Sequence, residues 1–452
     1  MNTNMINLKL PQEVMAVLDT LGKKEFEAYL VGGPVRDLIM GRNTNNWDFT
    51  TNASPEEILK IFPDSYYDNK FGTVGIPQAS GLVFEITTFR SEKGYSDHRH
   101  PDKVCWGKTL EEDLSRRDFT INAIALRYAQ GKPVIIDPYN GKNDINLKII
   151  RTVGDSNNRF TEDALRLIRA VRIATELGFL IEEKTHLAIK KNASLINQIS
   201  AERVRDELLK ILATNYSADG ILLLRSSGLL AQILPELEIC FGVAQQSPKR
   251  HHIYDVGTHL VMSLKNCKSK DPIVRLATLL HDIGKPKVTQ KQEDEVITFY
   301  NHEIVGTKIV RNIADRLRFS KKDRDKLIVL VRWHQFSVDE RQTDKAIRRF
   351  IRRVGKENLN NILDLRVGDR LGGGAQETSW RLELYKKRLA EVQKQPFTVA
   401  DLKVDGYDVM KILNLKPGPA VGKVLTELFE EVENDQTKNE REYLLKQIKA
   451  NR

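Results

Sequence analysis

A chain of 452 residues, 40% of them apolar, is long enough to bury several cores and is expected to divide into about three domains. Lys and Arg outnumber Asp and Glu by ten, 71 against 61, an excess that favours a polyanionic partner although it serves solubility equally well. No run of about 18 apolar residues occurs, and the opening M-N-T-N-M-I-N-L-K-L has neither the basic flank nor the apolar centre of a leader, so membrane and export are not expected and the expected location is cytoplasmic. Cys105, Cys240 and Cys267 stand far apart without C-x-x-C spacing, which argues against a disulfide framework or a thiolate zinc site.

Residues 11–125 alternate short apolar strands with helical stretches: A-Y-L-V-G-G (28–33), V-R-D-L-I-M-G, W-D-F-T-T and S-P-E-E-I-L-K-I-F, an α/β pattern. From about residue 160 the strand signals fade. T-E-D-A-L-R-L-I-R-A-V-R-I-A-T-E-L-G-F (161–179), K-T-H-L-A-I-K-K-N-A-S-L-I and S-A-E-R-V-R-D-E-L-L-K-I-L repeat apolar residues three and four apart, which predicts helices. Ser200 fits an N-cap, with Arg203 where a capping-box glutamate would stand, so the cap is not reciprocal. G-G-G-A-Q-E-T-S-W (372–380) and Q-K-Q-P-F (393–397) read as joints before a highly charged closing helix. The fold class expected is α+β, an α/β head with a mixed sheet followed by an all-helical remainder.

The first chemical constellation is V-G-G-P-V-R-D (31–37) followed by N-W-D (46–48). Glycines at a strand-to-helix junction let backbone N–H groups approach a phosphate, and the helix N-terminus adds partial positive charge, so Gly32, Gly33 and Arg36 suit a triphosphate. On a strand, positions 46 and 48 point to the same face, the arrangement by which two carboxylates hold paired divalent metals. Asp48 supplies one; Asn46 is neutral. Glu85, in V-F-E-I-T-T-F, offers a third carboxylate from a neighbouring strand, or simply faces solvent. G-Y-S-D-H-R-H-P-D-K-V-C-W-G-K-T-L (94–110) lacks periodicity and reads as a mobile loop, its histidines unpromising as metal ligands.

G-G-x-V-R-D, D-F-T-T-N-A and R-R-D-F-T-I-N-A-I-A (116–125), continued by I-I-D-P-Y-N-G-K-N-D-I (135–145), I-I-R-T-V-G-D (149–155) and R-F-T-E-D-A-L-R-L-I-R-A-V-R (159–172), closely resemble the class II tRNA nucleotidyltransferase and poly(A) polymerase family over roughly residues 25–215. The resemblance implies template-independent addition of C, C and A from CTP and ATP to the tRNA 3′ end, with Asp48 and its partner holding two Mg²⁺ ions; A-only or poly(A) addition is the alternative. It implies that Asp163 and Arg166, one helical turn apart, read the base edge, and that Arg169, Arg172 and Arg117 meet the nucleotide's phosphates or neighbouring groups. Arg116, Asp118 and Asn122 would position sugar or brace the fold. The 94–110 segment corresponds to a flexible loop tied to the final adenosine. Where the family carries its first catalytic aspartate this chain has Asn46, so metal binding and transfer are expected to suffer while nucleotide and RNA still bind.

A second constellation runs H-H-I-Y-D-V-G-T-H (251–259), L-L-H-D-I-G-K-P (279–286), N-H-E (301–303), W-H-Q (333–335) and V-G-D-R (367–370), mixed nitrogen and oxygen donors for a divalent transition metal. It resembles an HD-domain phosphohydrolase. By that pattern His259, His281, Asp282 and Asp369 hold one metal, His302 and His334 complete a second site, and Lys285 meets a substrate phosphate. Hydrolysis of phosphomonoesters or cyclic phosphates, or scaffolding of RNA, are both open. L-N-L-K-P-G-P-A-V-G-K-V-L-T-E-L near the C-terminus offers backbone donors to RNA phosphate at a helix start, or is a plain interhelical turn, and it resembles the RNA-holding tail of bacterial CCA enzymes. The expected parse is a head (1–150), a helical neck (151–240), an HD-type body (241–380) and a helical tail (381–452).

Overall fold

A computed structural model describes residues 10–67, 72–78, 80–93, 103–107, 109–129, 131–245, 254–291, 296–393 and 399–450. The chain forms two compact units, one of residues 1–241 with 312–319, the other of residues 242–311 with 320–452. Among the described residues no helix is long and apolar enough to cross a membrane, and Cys240 and Cys267 are buried free thiols.

The first unit is built on strands β1 (Ala28–Val31), β2 (Asp48–Thr51), β3 (Tyr66–Tyr67), β4 (Thr73–Pro77), β5 (Val83–Thr88), β6 (Arg90–Lys93), β7 (Lys103–Trp106), β8 (Ala125–Ala129) and β9 (Lys132–Ile136). Seven of them make one mixed sheet in the order β3-β4-β5-β2-β1-β8-β9, with β2 and β5 parallel and the other neighbours antiparallel. Period-two patterning fixes which face each residue takes: in β5 Phe84, Ile86 and Thr88 are buried while Val83 and Glu85 are exposed. Phe84 packs on Phe49 of β2, ring centroids 5.7 Å apart. Against the sheet lies the Gln12–Lys23 helix, which buries Val14, Val17, Leu18 and Leu21 at helical spacing. Ser54 and Glu57 form a reciprocal capping box at the start of the Pro55–Ile61 helix.

Two expectations are corrected here. Within 94–110, Lys103–Trp106 is a strand paired antiparallel with Arg90–Lys93, and Thr109 caps a helix beginning at Leu110; the β-branched and aromatic residues of V-C-W favour the extended backbone over an open loop. Residues 94–102 and 108, with His98 and His100, lie outside the described residues, as do His251, His252 and residues 394–397 of the expected 393–397 joint. The helix expected to run unbroken through 161–179 is two helices, Ser156–Glu162 and Leu165–Leu177, interrupted where Asp163 is extended and its carboxylate accepts the backbone N–H of Leu165 at 3.0 Å, a local bond that competes with helix continuation. Ser200 does occupy the N-cap position of the Ala201–Ala213 helix, but its side chain makes no capping bond.

The second unit is helical. Close glycine contacts set its geometry: a Cβ on Gly372 would lie 2.5 Å from the backbone nitrogen of Ser263, and one on Gly284 would lie 2.1 Å from the carbonyl oxygen of His302. The Leu359–Gly372 helix therefore rests directly on the Val256–Lys265 helix, and the turn after Asp282 rests on the start of the His302–Arg316 helix. The C-terminal helices Gly406–Leu413, Pro419–Asn434 and Arg441–Ala450 enclose a separate core around Val409, Leu428, Val432, Leu444 and Ile448.

Candidate active site and metal centre

In the first unit β1 ends at Gly32, whose φ of 79° turns the chain into the Gly33–Ile39 helix. Only glycine enters that left-handed region without strain. The turn also needs glycine for space, because a Cβ on Gly32 would lie 3.0 Å from Nη1 of Arg117 and 3.6 Å from Oδ2 of Asp48. Glycine backbone, guanidinium and carboxylate thus meet at one point. Glu85 joins them by register: it is the direct partner of Asp48 in the parallel β2–β5 pair, so both side chains leave the same face of the sheet. Asn46, exposed just before β2, donates its amide to Oδ1 of Asp48 at 3.5 Å. Burial pushes the Asp48 carboxyl up, and the nearby charge of Arg117 opposes it. Arg117 is itself anchored on buried Asp113 at 3.1 Å, which Arg116 also grips.

Arg36 faces inward. It is buried and donates to Oδ1 of Asn122 at 2.9 Å and to the carboxylate of Asp37. Asn122 donates in turn to Asp118 at 3.1 Å, and Arg169 grips the other oxygen of Asp118 at 2.5 Å. Arg166 is buried; it donates to Glu162 at 2.6 Å and to the carbonyls of Arg159 and Arg116, while Asp163 sits in the helix break. Arg172 is paired with Glu207 at 2.5 Å and Glu176 at 2.7 Å. Glu162, Glu207 and Asp113, the anions that orient these arginines, were missed by sequence reasoning; Glu162 and Asp113 stand three or four residues from the arginines they hold, a spacing that could have found them, whereas Glu207 reaches Arg172 only through the fold.

In the second unit His259, His281 and Asp282 meet with spacings of 3.3 Å between the two Nε2 atoms and 3.5 and 3.3 Å from those atoms to Oδ2 of Asp282. Oδ1 of Asp369 lies 3.3 and 3.5 Å from the same nitrogens. On the other side of Asp282, its Oδ1 is 3.1 Å from Nε2 of His302 and 3.5 Å from Nε2 of His334, which are 3.3 Å from each other. A triangle of donors with edges near 3.4 Å has its centre about 2.0 Å from each corner, so an ion with bonds of about 2.1 Å fits just off its plane. Both triangles suit a divalent metal.

The imidazoles are aimed by their far nitrogens. Nδ1 of His281, His302 and His334 each contacts a backbone carbonyl three residues earlier, at 2.8, 2.8 and 2.7 Å, which puts the proton on Nδ1 and leaves Nε2 free as a lone-pair donor. Burial alone would lower the His281 pKa, but the carboxylates of Asp282 and Asp369 outweigh it and push it up to about 10, so a metal binding at Nε2 would displace a proton there. Lys285, buried, donates to Oδ2 of Asp282 at 2.6 Å and to Gln245 at 2.8 Å. A cleft of about 470 Å³ opens onto Asp282, His302, His334 and Asp369, with Lys285 and Arg366 on its walls.

Comparison with known proteins follows this division. Residues 28–151 match the family described as "Poly A polymerase head domain", 178–240 "Probable RNA and SrmB- binding site of polymerase A", and 250–372 "HD domain". A CCA-adding enzyme of Geobacillus kaustophilus is 43% identical over 223 residues, 49% of this chain and 54% of that protein; the chain thus spans about half the length of such relatives. A CCA-adding enzyme of Lactococcus lactis is 31% identical over 455 residues, 98% of each chain. The crystal structure of the Bacillus stearothermophilus CCA-adding enzyme in complex with CTP superposes with a TM-score of 0.71 over 97% of both chains at 29% identity. The Thermotoga maritima CCA-adding enzyme complexed with tRNA, at 18% identity and a TM-score of 0.59, shares the fold.

Proposed function

This chain belongs to the family of CCA-adding enzymes, and from that premise we propose that it transfers nucleotides from CTP and ATP onto the 3′ end of tRNA, completing C-C-A without a nucleic-acid template. The observation that carries the reading is the meeting of the Gly32 turn, Arg117 and the Asp48 carboxylate, with Glu85 in register beside it. Asp48 and Glu85 offer carboxylate oxygens here, the donor type that suits Mg²⁺. Asp48, with Glu85 and the amide oxygen of Asn46, would hold it, and the ion would supply charge neutralisation for in-line attack of the RNA hydroxyl on the α-phosphate. The backbone at Gly32 and Gly33 receives the triphosphate, and Arg117 supplies positive charge next to it. Arg36 braces that turn through Asn122.

Asp163 and Arg166 read the base in this proposal, with Arg166 exchanging its bond to Glu162 for one to the nucleotide, and Arg169 and Arg172 lining the same helix toward the phosphates. A fork of donors and a single acceptor distinguish cytosine and adenine from the other bases by their Watson–Crick edges. Asn46 is the weak point: it brings no charge, and its amide is spent on Asp48. We infer that this chain binds nucleotide and tRNA but transfers poorly. Within the reading, 1–150 serves as head, 151–240 as neck, 241–380 as body and 381–452 as an RNA-holding tail, working in the cytoplasm.

Incorporation of labelled CTP and ATP onto tRNA ending before, within and just short of C-C-A tests this. Ordered use of both nucleotides supports it; use of ATP alone on any RNA end identifies an A-adding or poly(A) enzyme instead.

A further inference from the structure

Direct cross-strand partners carry the face of Asp48 outward across the sheet. Asp48 pairs with Glu85, Glu85 with Gly75, and Gly75 with Tyr66 of β3, the edge strand, so the four positions form one row on one face. Glycine leaves the third place of that row without a side chain, and the Tyr66 ring occupies it: a Cβ on Gly75 would lie 2.7 Å from Cζ and 2.9 Å from the hydroxyl oxygen of Tyr66. A strand glycine of this kind marks the close approach of another group. The ring thus leans inward over β4, toward Glu85, and Tyr66 is nevertheless 47% exposed. Gly75 lies two strand spacings from Asp48, about 10 Å, a gap that one nucleotide can span. On the opposite side of Asp48 is β1, which ends at the Gly32 turn with the Arg117 guanidinium against it.

The direction of attack follows from this layout. An in-line displacement at the α-phosphate needs the entering oxygen opposite the leaving pyrophosphate. With the triphosphate received at Gly32 and Gly33, the RNA end arrives from the Glu85 side, over Gly75 and Tyr66. We propose, on the reading that nucleotidyl transfer takes place at Asp48, that Tyr66 is the stacking platform for the 3′-terminal base of the acceptor RNA and that it aligns the terminal hydroxyl for attack. The chemistry of the ring fits the demand. The acceptor end changes with each of the three additions, so a pocket of fixed donors and acceptors would suit only some of its bases, whereas an aromatic face accepts any of them. In this division of labour Asp163 and Arg166 select the incoming nucleotide, and Tyr66 receives the nucleotide already in place. A base held on the ring also has its ribose fixed, which turns the approach of the hydroxyl into a step within one assembled complex.

The test uses the full chain carrying Asn46→Asp, with CTP, Mg²⁺ and tRNA lacking C-C-A, the tRNA either intact or with its 3′-terminal base removed and the ribose hydroxyls kept. On intact tRNA, Tyr66→Ala is expected to lower the rate at saturating CTP and tRNA about 10-fold and to leave the KM for CTP unchanged. Tyr66→Phe is expected to retain the rate, and Tyr66→Leu, which still covers Gly75 but has no aromatic face, to behave as Tyr66→Ala. On tRNA without its terminal base, the protein with Tyr66 is expected to be about 10-fold slower than on intact tRNA and no faster than Tyr66→Ala, because base and ring are two halves of one contact and their losses do not multiply. Losses that do multiply, or a Tyr66→Leu protein as active as one with Tyr66, overturn the platform. If Tyr66→Ala fails to fold, Tyr66→Leu and Tyr66→Phe on the two tRNAs decide in its place. No transfer to tRNA by either the parent or Asn46→Asp overturns the transfer reading and the platform with it, whereas transfer indifferent to Tyr66 overturns the platform alone.

Discussion

Asp118 is held between Arg169 and Asn122, and its carboxyl is kept well below the ordinary range. Burial alone would raise it, but the charge and hydrogen bonds of Arg169, with the bond from Asn122, outweigh burial. A carboxyl whose folded pKa is depressed adds stability above its unfolded value near 3.8 and loses it as the pH falls through the folded value. Asp118→Asn is expected to cost roughly 2 to 3 kcal/mol near pH 7, because Arg169 keeps its charge without a partner. The difference in melting temperature from the parent is expected to shrink below about pH 4, where the carboxyl of the unfolded parent takes up a proton while that of the folded parent stays ionised. A difference that stays constant from pH 7 to pH 3 would show that the pair is not the cause. At Asn46 the same electrostatics run the other way. Asn46→Asp sets a second carboxylate beside Asp48, whose protonated form burial already favours, so the metal-free protein is expected to be slightly less stable, by less than about 1 kcal/mol at this exposed position. Mg²⁺ is then expected to raise the melting temperature of the variant more than that of the parent, as read by a thermal melt with and without MgCl₂.

At the scale of elements, the spacing between helices is set by glycines that leave no room for a methyl group. Gly284→Ala pushes on the carbonyl of His302, so the His302–Arg316 helix must shift and carry Nε2 of His302 away from Asp282. Overpacking of this kind costs about 1 to 3 kcal/mol. The variant is expected to bind one Mn²⁺ ion fewer than the parent, the His302–His334 pair losing its ion while the His259–His281 pair keeps its own, as read by elemental analysis; unchanged binding or complete loss would contradict the helix-shift account. Legibility in the sequence followed the range of the interactions. The Gly32–Gly33 turn, the alternation of V-F-E-I-T-T and the H-D-I-G-K turn are local patterns, and the sequence alone marked Asp48, Glu85, His281 and Asp282 as neighbours in chemistry. Register made Glu85 the partner of Asp48, which no local pattern could fix. The inward turn of Arg36 depended on Asn122 arriving from another element, and that of Arg166 on the carbonyl of Arg116, 50 residues earlier in the chain. The helix break at Asp163 came from one side chain capturing the N–H of Leu165 in a stretch whose apolar spacing was that of a continuous helix.

For the whole molecule, a net charge of +10 and the proposed tRNA substrate together predict binding with a large counterion-release component. The affinity for tRNA is expected to fall at least about 10-fold as salt rises from 50 to 200 mM, with the logarithm of affinity linear in the logarithm of salt; a flat dependence measured by filter binding would remove phosphate contact as the source of affinity. The most direct test of the central claim is incorporation of labelled CTP and ATP, with Mg²⁺, onto tRNA lacking its terminal C-C-A, comparing the parent with Asn46→Asp. The account predicts ordered addition of C, C and A by the variant and a rate at least about 10 to 100-fold lower for the parent. Equal inactivity of both proteins toward tRNA would contradict it, and would leave the metal cluster of the second unit as the chain's working centre.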